Sequence, residues 1–188
     1  MRTVAPNPEE IEALRRQHGL FHERKFVFDE PGEREAPFPA RATFVRGWVI
    51  CVPVDIYRQA VLVRKVGAED WFFPGGGIEP NETVDEAAER ELMEETGMQA
   101  ESGVLKALWW WTLNYKDGPA TLAHFVYLQT VVGEPEVQDT KEIAEVRAFR
   151  DPPTTGLYHT LIHDALADTG MLHQWGIDFE QEQKFGTG

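Results

Sequence analysis

The segment 74–97 constrains the fold of this chain more than any other part of the sequence. Three consecutive glycines at 75–77 end any preceding strand, because glycine adopts backbone conformations that are closed to other residues. Thr83 and Glu86 have the spacing of a capping box, in which two side chains satisfy free amides at a helix start. Gly97 supplies the left-handed residue that ends a helix. The segment therefore predicts a loop, then a helix that begins after Thr83 and ends before Gly97.

This helix, 84–96, carries acidic side chains on the face that must pack against the core. At about 100° per residue, one arc holds the apolar residues Val84, Ala87, Ala88 and Leu92. Glu91 and Glu95 fall inside that arc, and Glu94 lies at its edge. The opposite side is formed by Asp85, Glu86, Glu89 and Thr96. Packed carboxylates three and four residues apart repel each other and lose hydration, so a compensating cation is expected. Oxygen ligands alone select a hard ion, which indicates Mg²⁺, with Mn²⁺ as the other choice.

The spacing of the segment also resembles the Nudix box, the signature of hydrolases that cleave nucleoside diphosphates linked to another group. After Gly76, five residues precede Glu82, and seven more precede the run Arg90-Glu91-Leu92-x-Glu94-Glu95-x-Gly97-Met98. The resemblance implies an α/β fold, the Nudix-type α/β/α sandwich with a mixed β-sheet. It also implies a reaction in which water attacks a phosphorus of a pyrophosphate bridge with the help of a metal ion.

The same resemblance implies roles for individual residues. The expected metal ligands are the carboxylates of Glu91, Glu94 and Glu95 and the backbone carbonyl of Gly75. One of the three glutamates doubles as the general base. Arg90 completes the catalytic set by holding a carboxylate in place, and Glu82 is its expected partner outside the metal ligands.

Substrate contacts are expected from the glycine loop, at Gly76 and Gly77, and from two side chains elsewhere. Arg64, followed by Lys65, comes at the end of a predicted strand and can meet phosphates, although a charged strand end is the simpler account. Tyr115 lies where some dinucleoside-polyphosphate hydrolases carry a tyrosine. Base stacking and core packing remain alternatives for the alternating aromatic residues Trp109, Trp111 and Tyr115.

One departure from the family pattern concerns an additional acid. Some members that cleave nucleoside triphosphates carry a catalytic carboxylate after a Pro-Pro pair, but here Thr154-Thr155-Gly156 follows Pro152-Pro153. Glu142 or Glu145, just before the last predicted strand, is the better candidate. A solvated loop is the alternative for both.

Charge and cysteine content narrow the partners. The net charge of −14 argues against binding nucleic acid or an anionic membrane through a basic surface, so we expect a small-molecule nucleotide substrate whose charge is bridged by metal. Cys51, the one cysteine, lies in an apolar run and is expected to pack rather than to act as a nucleophile. There is neither a long apolar span nor the hydrophobic core of a signal peptide, so the expected location is cytoplasmic.

We expect the chain to divide into an N-terminal helix and extended arm (1–40), the hydrolase domain that the Nudix resemblance implies (41–170) and a C-terminal tail (171–188). The helix of the arm begins at Pro8 and ends at Gly19. The predicted strands are 25–28, 43–54, 60–66, 104–115, 120–132 and 146–149, and a last helix spans 155–167. The tail packs either across the domain or against a second copy, in which case the protein is a homodimer.

Two other functions fit the same fold. A nucleotide-sensing module binds without cleaving, but such relatives usually lose carboxylates that this chain keeps. Isoprenyl diphosphate isomerisation relies on a cysteine in a different setting from that of Cys51. The leading hypothesis is therefore a Mg²⁺-dependent pyrophosphohydrolase of a nucleotide, a nucleotide sugar or a dinucleoside polyphosphate.

Overall fold

The computed structural model describes residues 2–28, 45–153 and 159–171. In chain order the elements are β1 (Arg2–Val4), α1 (Pro8–His18), β2 (His22–Phe28), β3 (Trp48–Val54), β4 (Ala60–Lys65), α2 (Val84–Thr96), β5 (Gln99–Tyr115), β6 (Gly118–Val132), β7 (Ile143–Phe149) and α3 (His159–Asp168). No helix in these ranges has the length and apolar character needed to cross a membrane.

The strands form one mixed sheet of seven, in the order β2-β5-β6-β3-β4-β7, with β1 also paired to β6. β5 and β6 form the predicted long antiparallel hairpin, which ends in the pair Tyr115 and Gly118. β3 runs parallel to β6, and β4 runs antiparallel to both β3 and β7. The two central strands of this order are β6 and β3, and β3 is hydrogen-bonded to the segment that leads into α2.

Helices cover both faces of the sheet. Leu14 of α1 and Leu92 of α2 share one buried cluster with Phe125 of β6. On the other face, Leu166 of α3 packs in a second cluster with Trp109 of β5. This arrangement confirms the expected α/β/α sandwich with a mixed sheet.

Most predicted elements occur where local signals placed them. α2 has the predicted bounds, with the capping box of Thr83 and Glu86 at its start and Gly97 in the left-handed conformation at its end. α1 likewise ends at Gly19. β2 begins three residues earlier than predicted, and β5 begins five residues earlier, because their pairing partners extend further. The predicted start of the last helix at 155, the arm over 29–40 and the tail beyond Met171 lie outside the described residues.

The prediction that Asp85 and Thr96 point away from the packed side of α2 is wrong. Thr96 is fully buried and donates its hydroxyl to the carbonyl of Leu92 at 2.6 Å. Asp85 is half-buried and accepts a hydrogen bond from the hydroxyl of Tyr127 at 3.0 Å, with His18 of α1 at 2.9 Å. α1 therefore covers a second side of α2. The remaining two residues of the predicted outer face, Glu86 and Glu89, are exposed.

Candidate active site

The glycine loop fills a gap between β3 and β4. These two strands pair at a single position, Val54 with Ala60, and then separate. Beyond that position the loop, rather than β4, lies beside β3. The carbonyl of Gly76 in the loop accepts a hydrogen bond from the amide of Val49 at 2.9 Å. The carbonyl of Pro74 accepts from the next inward amide of β3 at 2.8 Å. The loop is thus held by the sheet and faces α2.

None of the three glycines in this loop has room for a Cβ atom, and at Gly77 the obstacle is the side chain of Val45 at 2.5 Å. A Cβ atom on Gly75 would lie 2.2 Å from the backbone oxygen of Val49, and one on Gly76 would lie 2.4 Å from Oε1 of Glu91. The absence of a side chain at Gly76 therefore lets the carboxylate of Glu91 reach the loop backbone. This contact explains the glycine requirement by packing rather than by turn geometry.

Glu95 is the most buried carboxylate of the site, with 4% of its surface exposed. Its Oε2 accepts a hydrogen bond from the amide of Gly75 at 2.9 Å, and its Oε1 lies 3.4 Å from Nζ of Lys65. Burial raises the pKa of Glu95 to about 7, although the charge of Lys65 and the Gly75 amide act in the opposite direction. The helix therefore holds a carboxylate that is poorly hydrated and incompletely compensated.

Arg90 organises the other carboxylates. Its guanidinium binds Glu82 through two hydrogen bonds of 2.7 and 2.9 Å, and it donates to the carbonyl of Gly77 at 2.9 Å. Its Nη1 also lies 2.7 Å from Glu91 and 3.1 Å from Glu94. The hydrogen bonds from Arg90 hold the pKa of Glu82 below its ordinary value, whereas burial raises the pKa of Glu91 despite Arg90. Arg90 thus joins the loop and the acidic face of α2.

The predicted metal ligands come together in two pairs rather than around one point. Gly75 contacts Glu95, while Glu91 and Glu94 share Arg90. Within the described residues, no three acidic, histidine or cysteine side chains form a ready-made metal site. The donor chemistry nevertheless fits a hard cation. All the donors are oxygens on one helix face and its adjoining loop, and burial raises the pKa of both Glu91 and Glu95.

A cleft of about 450 Å³ adjoins these groups. Its described lining comprises Val45, Trp48, Lys65, Gly75, Gly76, Gly77, Glu91, Trp111, Leu113, Tyr115, Leu122, His124 and Glu142. Three of the four predicted substrate contacts, Gly76, Gly77 and Tyr115, are therefore in the lining. Lys65 also lines the cleft and is bonded to Glu142.

Arg64, the fourth predicted contact, does not belong to the described lining. It pairs with Glu145 at 2.7 Å and lies over the ring of Trp71 at 5.9 Å. Lys65, the next residue, lines the cleft instead, and the pairing of β4 with β7 shifts register between these two residues. Arg64 as a phosphate contact stays a prediction, and its described contacts are those of the alternative, a charged strand end.

The aromatic residues divide between core and cleft. Trp109 is fully buried and donates its Nε1 to Asp168 at 2.8 Å, which supports core packing. Trp111, two residues along, lines the cleft and stacks on His124 with 3.9 Å between ring centroids. His124 was missed by the sequence analysis. Its one signal in the sequence is a titratable residue inside the apolar alternation of β6.

Cys51 is fully buried, and its thiol contacts the carbonyl of Ala88 at 3.2 Å. Burial raises the pKa of this thiol well above its ordinary value, so the group stays protonated. The expectation of a packing role is confirmed.

A family model described as the NUDIX domain matches residues 44–155. The chain belongs to this family. Among solved structures, a MutT NUDIX hydrolase from Burkholderia pseudomallei is 25% identical, with a TM-score of 0.52 over 64% of this chain and 95% of that one. A Bacillus subtilis pyrophosphohydrolase shares the Nudix fold at 17% identity, with a TM-score of 0.51 over 66% of this chain and 80% of that one.

Sequence relatives match a shorter stretch of the chain. An RNA pyrophosphohydrolase from Shewanella baltica is 42% identical over 55 residues, which are 29% of this chain. The match spans 30% of the length of that relative. The prediction of the Nudix family from the residues of the box is confirmed by the family match.

Proposed function

We propose that this Nudix protein is a Mg²⁺-dependent hydrolase that cleaves a pyrophosphate bond in a nucleoside diphosphate derivative by attack of water on phosphorus. The observation that carries the proposal is the position of Glu91. Its half-buried carboxylate lines the cleft, touches the glycine loop at Gly76 and is held by Arg90. The family match and the likeness to a MutT NUDIX hydrolase support the assignment as an enzyme.

Nudix hydrolases in general use divalent cations, and we assign Mg²⁺, with Mn²⁺ as a substitute, to Glu91, Glu94, Glu95 and the carbonyl of Gly75. When bound, the ion polarises the phosphoryl oxygens and lowers the pKa of the attacking water. Arg90 keeps Glu91 and Glu94 beside the loop, so that both carboxylates are positioned to bind the ion. One of the three glutamates accepts the proton of the water.

The remaining residues of the cleft suit a phosphorylated substrate. Gly76 and Gly77 line the cleft and stay proposed substrate contacts, with the carboxylate of Glu91 beside Gly76. Lys65 supplies a positive charge in the lining, where it lies beside Glu142 and Glu95. This contact supports Glu142, rather than Glu145, as the candidate for an additional acid.

Two substrate groups follow from the comparisons and the charge. The net charge of −14 favours a small nucleotide, nucleotide sugar or dinucleoside polyphosphate. A 5′-phosphorylated RNA end is the second candidate, because the Shewanella relatives named RNA pyrophosphohydrolase share 42% identity over the matched 55 residues. The two differ in whether the cleft accepts a chain that continues beyond the first nucleotide.

The test is a hydrolysis panel with purified protein in Mg²⁺, in Mn²⁺ and in EDTA. The panel holds ADP-ribose, nucleoside di- and triphosphates, diadenosine polyphosphates, nucleotide sugars and a 5′-triphosphorylated RNA oligonucleotide. We expect metal-dependent product release from at least one member. Binding of nucleotides without cleavage of any of them would instead support a nucleotide-sensing module.

The matched variants are Glu94→Gln and Glu89→Gln, which alter exposed glutamates of the same helix. Glu94→Gln should lower turnover by about 10³-fold, the scale of losing one major electrostatic stabiliser. Glu89→Gln should leave it unchanged, because Glu89 lies on the side away from the loop. Near-wild-type turnover in Glu94→Gln would remove this residue from the catalytic set.

A further inference from the structure

His124 lies in the middle of a row of stacked rings on the face of the sheet that carries the cleft. Trp111 of β5 stacks on it at 3.9 Å between centroids, and Trp48 of β3 stacks at 5.5 Å, with interplanar angles of 24° and 19°. Since β5 and β3 flank β6, the two indoles approach the imidazole from opposite sides. Its faces are thus occupied by aromatic rings, and its polar edge is the part left for other contacts.

The polar edge of His124 includes a buried nitrogen that nothing in the described part of the chain partners. The side chain is buried, with 7% of the residue exposed, and Nδ1 has no hydrogen-bond partner among the described residues. A buried polar atom without a partner is costly, and its presence in a native structure calls for a reason. Burial also lowers the pKa of His124 to about 3, so the imidazole is neutral at physiological pH and has one donor and one acceptor nitrogen. The proposed hydrolysis makes no use of this group.

The position of His124 indicates what the missing partner is. The main cleft has a charged end at Glu91, Lys65 and Glu142, where phosphates and metal are expected. His124 lines this cleft and also an adjoining apolar cavity of about 180 Å³. The walls of that cavity include aromatic rings such as that of Phe73. A neutral imidazole among aromatic rings suits an uncharged planar ring with a polar rim better than it suits a phosphate.

We propose that His124 is a specificity-determining residue that hydrogen-bonds the polar edge of a nucleobase held at the aromatic end of the cleft. The proposal rests on the proposed function in one respect, namely that the cleft takes a nucleotide. It does not require hydrolysis. A base at this end leaves the attached phosphates to extend toward Glu91 and the glycine loop.

Binding of products separates this role from catalysis. The four common nucleoside 5′-monophosphates contain no pyrophosphate bond, and ribose 5-phosphate is the same ligand without a base. Their affinities for the Mg²⁺-loaded protein are measured by calorimetry for wild type, His124→Phe and His124→Gln. Phenylalanine keeps a planar ring but has no hydrogen-bonding atom, whereas glutamine keeps an uncharged polar group.

Gln129→Met is the matched control. Gln129 lies on the same strand, is buried, and also carries an atom, Oε1, that no described residue partners. Its amide nitrogen donates to the carbonyl of Ala88 in α2, so it lies on the opposite face of the sheet. The variant therefore removes a buried polar group from β6 without touching the cleft. Thermal melts of all the variants verify that they are folded.

In wild type we expect at least one nucleoside monophosphate to bind more tightly than ribose 5-phosphate. His124→Phe should weaken that nucleotide by about tenfold or more and change ribose 5-phosphate by less than twofold. His124→Gln should recover part of the loss, and Gln129→Met should bind as wild type does. Equal weakening of nucleotide and ribose 5-phosphate would overturn the proposal, as would wild-type binding that is indifferent to the base. If base-dependent binding is found but the hydrolysis panel fails, the catalytic assignment falls and the role of His124 stands.

Discussion

Replacing Glu95 by glutamine should stabilise the metal-free protein at neutral and alkaline pH. Burial raises the pKa of this carboxyl from an ordinary value of 4.5 to about 7. A carboxyl whose pKa is higher in the folded state binds its proton more tightly there than in the unfolded chain. The ionised group therefore destabilises the folded state. The penalty is absent below pH 4.5, grows between pH 4.5 and 7, and is complete above pH 7.

The size of the effect follows from the same two pKa values. At 1.36 kcal/mol for each pH unit, the full penalty is about 3 kcal/mol at pH 8 and less than about 1 kcal/mol at pH 5. Glutamine resembles the protonated form in shape and keeps an acceptor for the amide of Gly75. Lys65 retains Glu142 as a partner in the variant. The gain in unfolding free energy should thus approach the penalty that the charged group imposes.

Urea unfolding in EDTA at pH 5 and pH 8 measures this gain, with Glu89→Gln as the exposed control on the same helix. Wild type should also gain about 2.7 kcal/mol from Mg²⁺ at 100 times its dissociation constant. Glu95→Gln should gain much less from the ion. If the variant were less stable than wild type at pH 8, or shifted equally at both pH values, the argument from burial of charge would be refuted.

Three further substitutions test the loop and the helix. Gly76→Ala should lower turnover strongly, because the new Cβ displaces the carboxylate of Glu91. Steady-state kinetics measure the loss, and a thermal melt verifies that the variant is folded. Unchanged turnover would mean that the contact between Gly76 and Glu91 is dispensable. Thr83→Ala should lower the free energy of unfolding by about 1 kcal/mol, because it removes the capping box. A loss smaller than a few tenths of a kcal/mol in urea unfolding would contradict this prediction. Arg90→Lys should lower the free energy of unfolding by about 1–3 kcal/mol and lower turnover as well, because lysine cannot reproduce the bidentate hydrogen bond to Glu82. A variant with the stability and turnover of wild type would refute the organising role of Arg90.

The sequence predicts α2 well because its signals are local. The cap at Thr83, the stop at Gly97 and the apolar spacing between them all act within one helix. The prediction that Thr96 points away from the packed side of α2 is wrong for a different reason. A helical projection assumes one packed side, but the loop that follows β6 also covers the end of α2, where the amide of Glu136 donates to the carbonyl of Thr96 at 2.8 Å.

The cleft is predicted less completely because its wall is assembled from several strands. The glycine loop and Glu91 follow from one motif. Lys65 and His124 become neighbours of that motif only through pairing of β4 with β7 and of β6 with β3. Such pairing is set by contacts between distant parts of the chain, and a single sequence carries little information about strand neighbours. β1, with three residues against β6, was unpredicted for the same reason.

The attachment of the glycine loop to β3 has a consequence for how the site opens. The amides of Val49 and Cys51 donate into the loop, and the amide of Ile78 donates back to the carbonyl of Gly47, so the loop forms part of the sheet's hydrogen-bond ladder. Next to a loop with three consecutive glycines, backbone amide hydrogens would ordinarily exchange with solvent quickly. Here, release of the loop requires breaking its hydrogen bonds to a central strand. Deuterium uptake at Val49 and Cys51 should therefore be as slow as in the core of the sheet, which makes the loop part of the cooperative unit that unfolds last.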